Sequence, residues 1–133
     1  MNVYFNEYNL LMGSGGVTYL PLVSGILQAS AQSDDVIASN YDFMPFLFSL
    51  DEPAQLLGAY TATPDVACFS IAMWNENLSL EVARQVKEKY PHCLIVFGGA
   101  QCPHNPADYF SQYKFIDITV RAEGEVAFIA VLK

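Results

Sequence analysis

Apolar runs of strand character and segments of helical period take turns along this chain. Asn2-Val3-Tyr4-Phe5 predicts a short first strand. Leu22, Val23, Ile26, Leu27 and Ser30 fall near a 3.6-residue spacing and predict a helix over about 19–31, entered through the loop Gly13-Ser14-Gly15-Gly16. Residues 36–39 make a candidate second strand with weak edges. Asp51, followed by Glu52 and Pro53, reads as a helix start: a capping carboxylate precedes a proline whose missing N–H costs nothing in the first turn. That helix runs to about Tyr60.

Pro64-Asp65 introduces Val66-Ala67-Cys68-Phe69-Ser70-Ile71, an unbroken apolar run of the kind covered on both faces. A helix over about 78–90 follows, with Ser79, Val82, Ala83, Val86 and Tyr90 along one face, an Arg84–Glu88 pair outside and Pro91 as its stop. Residues 93–97 predict a fourth strand, 106–112 a short helix, 115–120 a fifth strand and 125–132 a last helix. Strand and helix alternating at these lengths give parallel pairing through right-handed crossovers. The expected architecture is α/β: a doubly wound five-stranded parallel sheet, helices on both faces, in the order 2-1-3-4-5 by analogy with other sheets of this kind. Such sheets bind ligands outside the carboxyl ends of their strands. The segments 70–75, 97–103 and 120–125 lie there and outline a candidate pocket.

Composition narrows the function. With 53% apolar and 15% charged residues, the 133-residue chain is one folded domain rather than a disordered segment. A net charge of −8 argues against nucleic acid, whose binding takes a basic face. No apolar run reaches the ~18–20 residues of a membrane span, and the N-terminus lacks the basic start of a signal peptide. Three cysteines do not make a disulfide framework. These features predict a reduced, cytoplasmic protein with neither nucleic acid nor membrane as partner.

Several residues admit a plain structural reading beside a functional one. Gly13–Gly16 lacks the Lys-Ser/Thr of a phosphate loop and reads better as linker beside the pocket. Cys68 and Cys93 read as buried strand residues, and Cys102 as a loop thiol without a neighbouring base. Gly98-Gly99 serves equally as a ligand cradle or a turn, Trp74 as a flat packing surface or a core cap, and Asn75 as a contact or a helix start. Ser70 has its own backbone to bond, and Arg121 and Glu123 have each other. His92 lies at the end opposite the pocket. His104, after the glycines, reaches it, with a loop role preferred there to metal ligation.

Read in order, several motifs carry a resemblance: Pro64-Asp65-Val66-Ala67-Cys68-Phe69-Ser70, Trp74-Asn75, Ile95-Val96-Phe97-Gly98-Gly99-Ala100-Gln101, Phe115-Ile116-Asp117, and Val120-Arg121-Ala122-Glu123-Gly124-Glu125 with Phe128. Their order and spacing resemble the N-terminal cobalamin-binding domain of cobalamin-dependent radical S-adenosylmethionine proteins. The likeness runs from Val3 to the C-terminus and is strongest from Pro64. It implies a flavodoxin-like (Rossmann-like) fold whose strand ends cradle the corrin ring and its nucleotide tail. Carried over residue by residue, it makes Ser70, Trp74, Asn75, Gly98, Gly99, Gln101, Arg121, Glu123 and Gly124 cofactor-facing, with no catalytic or metal-ligating residue in this chain.

Two departures qualify the likeness. Residues 7–13 lack the Asp-x-His-x-x-Gly of the broader superfamily, so that loop supplies no axial histidine. Cys68, Cys93 and Cys102 are too widely spaced for the Cys-x-x-x-Cys-x-x-Cys that binds an iron–sulfur cluster. The 4Fe-4S cluster and S-adenosylmethionine are therefore expected in a C-terminal domain of a longer protein, to which residues 1–133 would present cobalamin. The competing expectations are a flavodoxin-like flavin or nucleotide binder, and a ligand-free domain used for protein contact.

Overall fold

The computed structural model describes residues 1–9, 11–12, 17–18 and 20–133, with backbone alone at 11–12 and 17–18. The first elements are β1 (Asn2–Asn9), β2 (Leu11–Met12), β3 (Val17–Thr18), α1 (Leu22–Gln32), α2 (Asp35–Asn40), β4 (Asp42–Phe43) and β5 (Leu47–Ser49). They are followed by α3 (Pro53–Gly58), β6 (Val66–Ser70), α4 (Glu76–Lys89), β7 (Leu94–Gly98), α5 (Ala107–Gln112), β8 (Ile118–Val120) and α6 (Glu125–Leu132). The loop Gly13–Gly16 and the expected helix entry at Tyr19 lie outside the described residues.

A six-stranded parallel sheet carries the fold: β1 has β4 and β5 on one side and β6, then β7 and β8, on the other. The architecture is the flavodoxin-like α/β one, but the strand order differs from 2-1-3-4-5 at its edge. Residues 36–39 are not a strand; they belong to α2. Asp34 decides this, because its Oδ1 accepts the N–H of Val36 and of Ile37 at 3.0 and 3.2 Å. That cap outweighs the strand preference of Val36 and Ile37. The edge position is instead split between β4 and β5. Pro45 sits between them, and a residue without an N–H cannot continue a ladder. A smaller correction concerns α3: its cap is Glu52, not Asp51, and the Glu52 N–H donates to Gln55 Oε1 at 3.3 Å.

Period-2 alternation gives the sheet two apolar faces. Tyr4, Ala67, Phe69, Ile95 and Phe97 pack under α3, α4 and α5, while Val3, Phe5, Val66, Cys68 and Val96 pack under α1, α2 and α6. β1 continues well past Phe5, through buried Asn6, Glu7 and Asn9. Burial is tolerable there because the polar atoms are bonded. Asn6 Oδ1 accepts from the Tyr8 and Tyr60 hydroxyls at 2.7 and 2.9 Å, and its Nδ2 donates to the Cys68 carbonyl at 3.0 Å.

Candidate functional site

The register lines up the carboxyl ends of the strands in rows. Phe5, Cys68, Val96 and Ile118 are successive partners across the sheet, and two residues further along so are Ser70, Gly98 and Val120. A step of two keeps the same face, so both rows look toward α1 and α6. In the upper row Ser70 and Gly98 are too small to fill the space above Cys68 and Val96. A cleft of about 540 Å³ results, walled by Val23, Ser24, Ile26 and Leu27 of α1 and by Glu125 and Phe128 of α6. Its floor is apolar, and Ser70, His104, Arg121 and Glu123 bring polar groups to it. An apolar pocket with a few convergent polar groups at this edge is where the architecture takes ligands.

Ser70, Gly98, Gly99, Arg121, Glu123 and Gly124, all singled out from sequence, meet in this cleft. Trp74, Asn75 and Gln101 are not among its lining residues. Trp74 is half exposed, and its Nε1 donates to Asn9 Oδ1 at 3.3 Å, which holds the indole beside the end of β1. Asn75 is buried. Its Oδ1 accepts the Ala72 N–H at 2.8 Å, and its Nδ2 donates to the Tyr8 and Ser70 carbonyls at 2.9 and 3.1 Å. It is the N-cap residue of α4, as a helix start, but its side chain makes no capping bond to the helix and instead ties the β6–α4 loop to the end of β1. Gln101 is exposed, and its backbone N–H donates to the Ile71 carbonyl at 3.2 Å.

Backbone geometry explains part of the rim. Gly99 has φ +107°, and a Cβ there would stand 2.6 Å from the Ile71 oxygen, so the close approach of the β6–α4 backbone demands glycine. Ala122, in the turn between β8 and α6, has φ 59°, a left-handed conformation that a non-glycine residue adopts at a cost.

The cleft also holds features that the sequence reading missed. Most of the apolar stripe of α1 does not face the core: Leu22, Val23 and Ile26 are exposed, Leu27 packs on the core from its edge, and the buried residues of this helix are Ser24 and Ala31. Ser24 is buried because Glu7 reaches it; Glu7 Oε2 accepts the Ser24 N–H at 2.9 Å and its hydroxyl at 2.8 Å. A carboxylate on the free amides of a helix start is favourable. The signal in the sequence was an acidic residue two positions beyond an apolar strand, followed by a helix without an acidic first turn. At the opposite wall, Arg121 Nη1 donates to the His104 carbonyl at 3.1 Å, and Nη2 meets His104 Nδ1.

Two thiols line the cleft. Burial pushes the Cys102 thiol up to about 11 and the Cys68 thiol higher still. Both are protonated at neutral pH, and neither serves as nucleophile or soft metal ligand in that form. Among the described residues no three His, Cys, Asp or Glu side chains gather where they could hold a metal ion, and no helix is long and apolar enough to cross a membrane.

No protein-family model matches the chain. Curated relatives do. The 2-(S-pantetheinyl)-carbapenam-3-carboxylate methyltransferase of Streptantibioticus cattleyicolor is 38% identical over 121 residues, covering 91% of this chain and 18% of its own length. The cobalamin-dependent radical SAM methyltransferase TokK of Streptomyces tokunonensis is 38% identical over 133 residues, covering 98% of this chain and 18% of its own length. The chain thus spans less than a fifth of the curated relatives it matches. Over nearly all of its residues it is a homologue of one segment of the cobalamin-dependent radical S-adenosylmethionine methyltransferases, the group that its sequence resembles.

Proposed function

We propose that this chain is a cobalamin-binding module, holding a corrinoid in the α1–α6 cleft and presenting it to a radical S-adenosylmethionine domain of a longer protein. The observation that carries this reading is the convergence of Ser70, Gly98 and the Arg121–Gly124 turn above the apolar row Phe5–Cys68–Val96. The residues suit such a group, which is large, partly apolar and fringed with amides. The floor offers apolar surface left open by small residues, and the rim offers a hydroxyl, a guanidinium and an imidazole.

In this reading Ser70, Gly98, Gly99, Arg121, Glu123 and Gly124 hold the cofactor, with the Trp74 indole beside them. Asn75 and Gln101 act through the loops that they fasten. Bound cobalamin supplies methyl-transfer or radical chemistry at cobalt; the chain binds and orients it and keeps water from the apolar floor. The 4Fe-4S cluster and S-adenosylmethionine belong, in this reading, to the other domain, and the relatives' names support methyl transfer as the reaction of the whole protein.

Glu7 weighs against the flavin or nucleotide reading. Its carboxylate already occupies the amino end of α1, where a phosphate would dock, and a second anion there meets like charge. The test is to mix the chain with hydroxocobalamin, desalt it and record the visible spectrum. Retained red chromophore is expected. Gly98→Val should lose it, since a Cβ at Gly98 already meets Val120 at 3.6 and 3.9 Å and the γ-methyls add bulk at the cleft; thermal unfolding of the variant, measured alongside, separates lost binding from a lost fold. A wild-type chain that emerges colourless overturns the reading, and one that retains flavin instead favours the alternative. Retention unaffected by Gly98→Val moves the cofactor out of this cleft.

A further inference from the structure

We infer that His104 is a hydrogen-bond donor to the bound group, fixed in that role by Arg121, and is not an axial ligand to its metal. The identity of the group rests on the cobalamin reading; the state of the imidazole does not. Arg121 approaches His104 twice, donating from Nη1 to the backbone carbonyl at 3.1 Å and meeting the ring through Nη2 at Nδ1. A guanidinium has N–H groups and no acceptor, so Nδ1 is the acceptor in this pair. A neutral imidazole that accepts at Nδ1 carries its proton on Nε2. One ring nitrogen then has its lone pair engaged by Arg121, and the other has none to give. What remains is an Nε2–H donor on a residue that lines the cleft.

The same wall selects what that donor meets. Glu123 and Glu125 line the cleft along with Arg121, so two carboxylates and one guanidinium border it and leave that wall net negative. An anionic acceptor is repelled there, and a neutral amide carbonyl is the fitting partner. The peripheral amides of a corrinoid are of that class. Arg121 thus helps to hold the cofactor as a positioning residue, through the imidazole that it orients.

Three measurements on the full 133-residue chain test this. Long-range 1H–15N correlation of the free protein reads the tautomer: Nε2–H is expected in the wild type and a mixed population in Arg121→Met. In titrations with hydroxocobalamin, His104→Ala should bind about fivefold more weakly, the size of one hydrogen bond. His104→Gln, whose amide N–H can stand in for Nε2–H, should recover most of that loss. In the complex reduced to cob(II)alamin, labelling the histidines with 15N should leave the cobalt EPR lines unchanged. An Nδ1–H tautomer, equal binding by wild type and His104→Ala, or cobalt lines that respond to the label each overturn the inference. A wild-type chain whose Nε2–H tautomer depends on Arg121 but that binds no corrinoid overturns the cobalamin reading and the donor's assigned partner while upholding the Arg121–His104 lock, and an Nε2–H population unchanged in Arg121→Met overturns the lock.

Discussion

Replacing Gly98 and Gly99 by alanine, one at a time, asks two neighbours for opposite answers. At Gly99 the added Cβ stands 2.6 Å from the Ile71 oxygen and 2.9 Å from its nitrogen, at a φ of +107°. Those atoms cannot simply retreat. The Ile71 N–H donates to the Gly98 carbonyl at 2.7 Å, and the Ile71 carbonyl accepts from the Gln101 N–H at 3.2 Å. Backbone strain of about 1–3 kcal/mol and one compromised backbone bond of about 1 kcal/mol put the cost of Gly99→Ala near 3 kcal/mol. In a domain of this size each kcal/mol moves Tm by about 3–5 °C, so Tm should fall by roughly 10–15 °C.

At Gly98 the same methyl group finds the Val120 oxygen and Cβ at 3.6 and 3.9 Å, ordinary contact distances. Alanine also restricts the unfolded chain, a gain of roughly 0.5–1 kcal/mol in a strand. Gly98→Ala should therefore unfold at the same temperature as the wild type or slightly above it. Calorimetry on the two variants decides. Equal losses at both sites, or a neutral Gly99→Ala, would refute the claim that the Ile71 backbone, rather than a ligand, demands glycine at 99.

Two further outcomes can be checked by unfolding. Asn75→Ala removes three hydrogen bonds and strands the buried Tyr8 carbonyl; denaturant titration should show a loss of about 2–4 kcal/mol, and a change below about 0.5 kcal/mol would contradict the role given to that side chain. Burial raises the Tyr8 and Tyr60 phenols well above their ordinary value. Because the folded state holds these protons more tightly, their contribution is complete below the unfolded pKa of about 10 and is lost as pH rises toward the folded values. The last part of the tyrosinate absorbance, from these two of the eight tyrosines, should accordingly rise together with loss of circular dichroism, and ionisation of both phenols in a folded chain would rule this out.

Much of this fold could be read from hydrophobic pattern because its central strands are covered on both faces. β6 and β7 are continuous apolar runs, and their order with β8 brings Ser70, Gly98 and Arg121 to one rim. Where the reading failed, a local polar contact outweighed the pattern. Asp34 turned 36–39 into a helix, Pro45 divided the edge strand, and bonded Asn6 and Glu7 carried β1 onward where polarity suggested an end. Trp74, Asn75 and Gln101 fall outside the cleft lining for a related reason. Position in a motif says which loop a residue joins, whereas its partners (here Asn9, Tyr8 and Ile71) decide where it sits. The apolar stripe of α1 was visible from spacing, but spacing does not distinguish a core from a pocket wall.

Glu7 beneath α1 has a consequence for how the cleft meets a guest. That helix carries its own counter-ion, so its seating owes nothing to sulfate, phosphate or nucleotide in the medium. One side of the cavity is already assembled before anything enters. A wall that need not be ordered during association leaves more of the interaction energy to appear as affinity, and dissociation leaves the helix where it was.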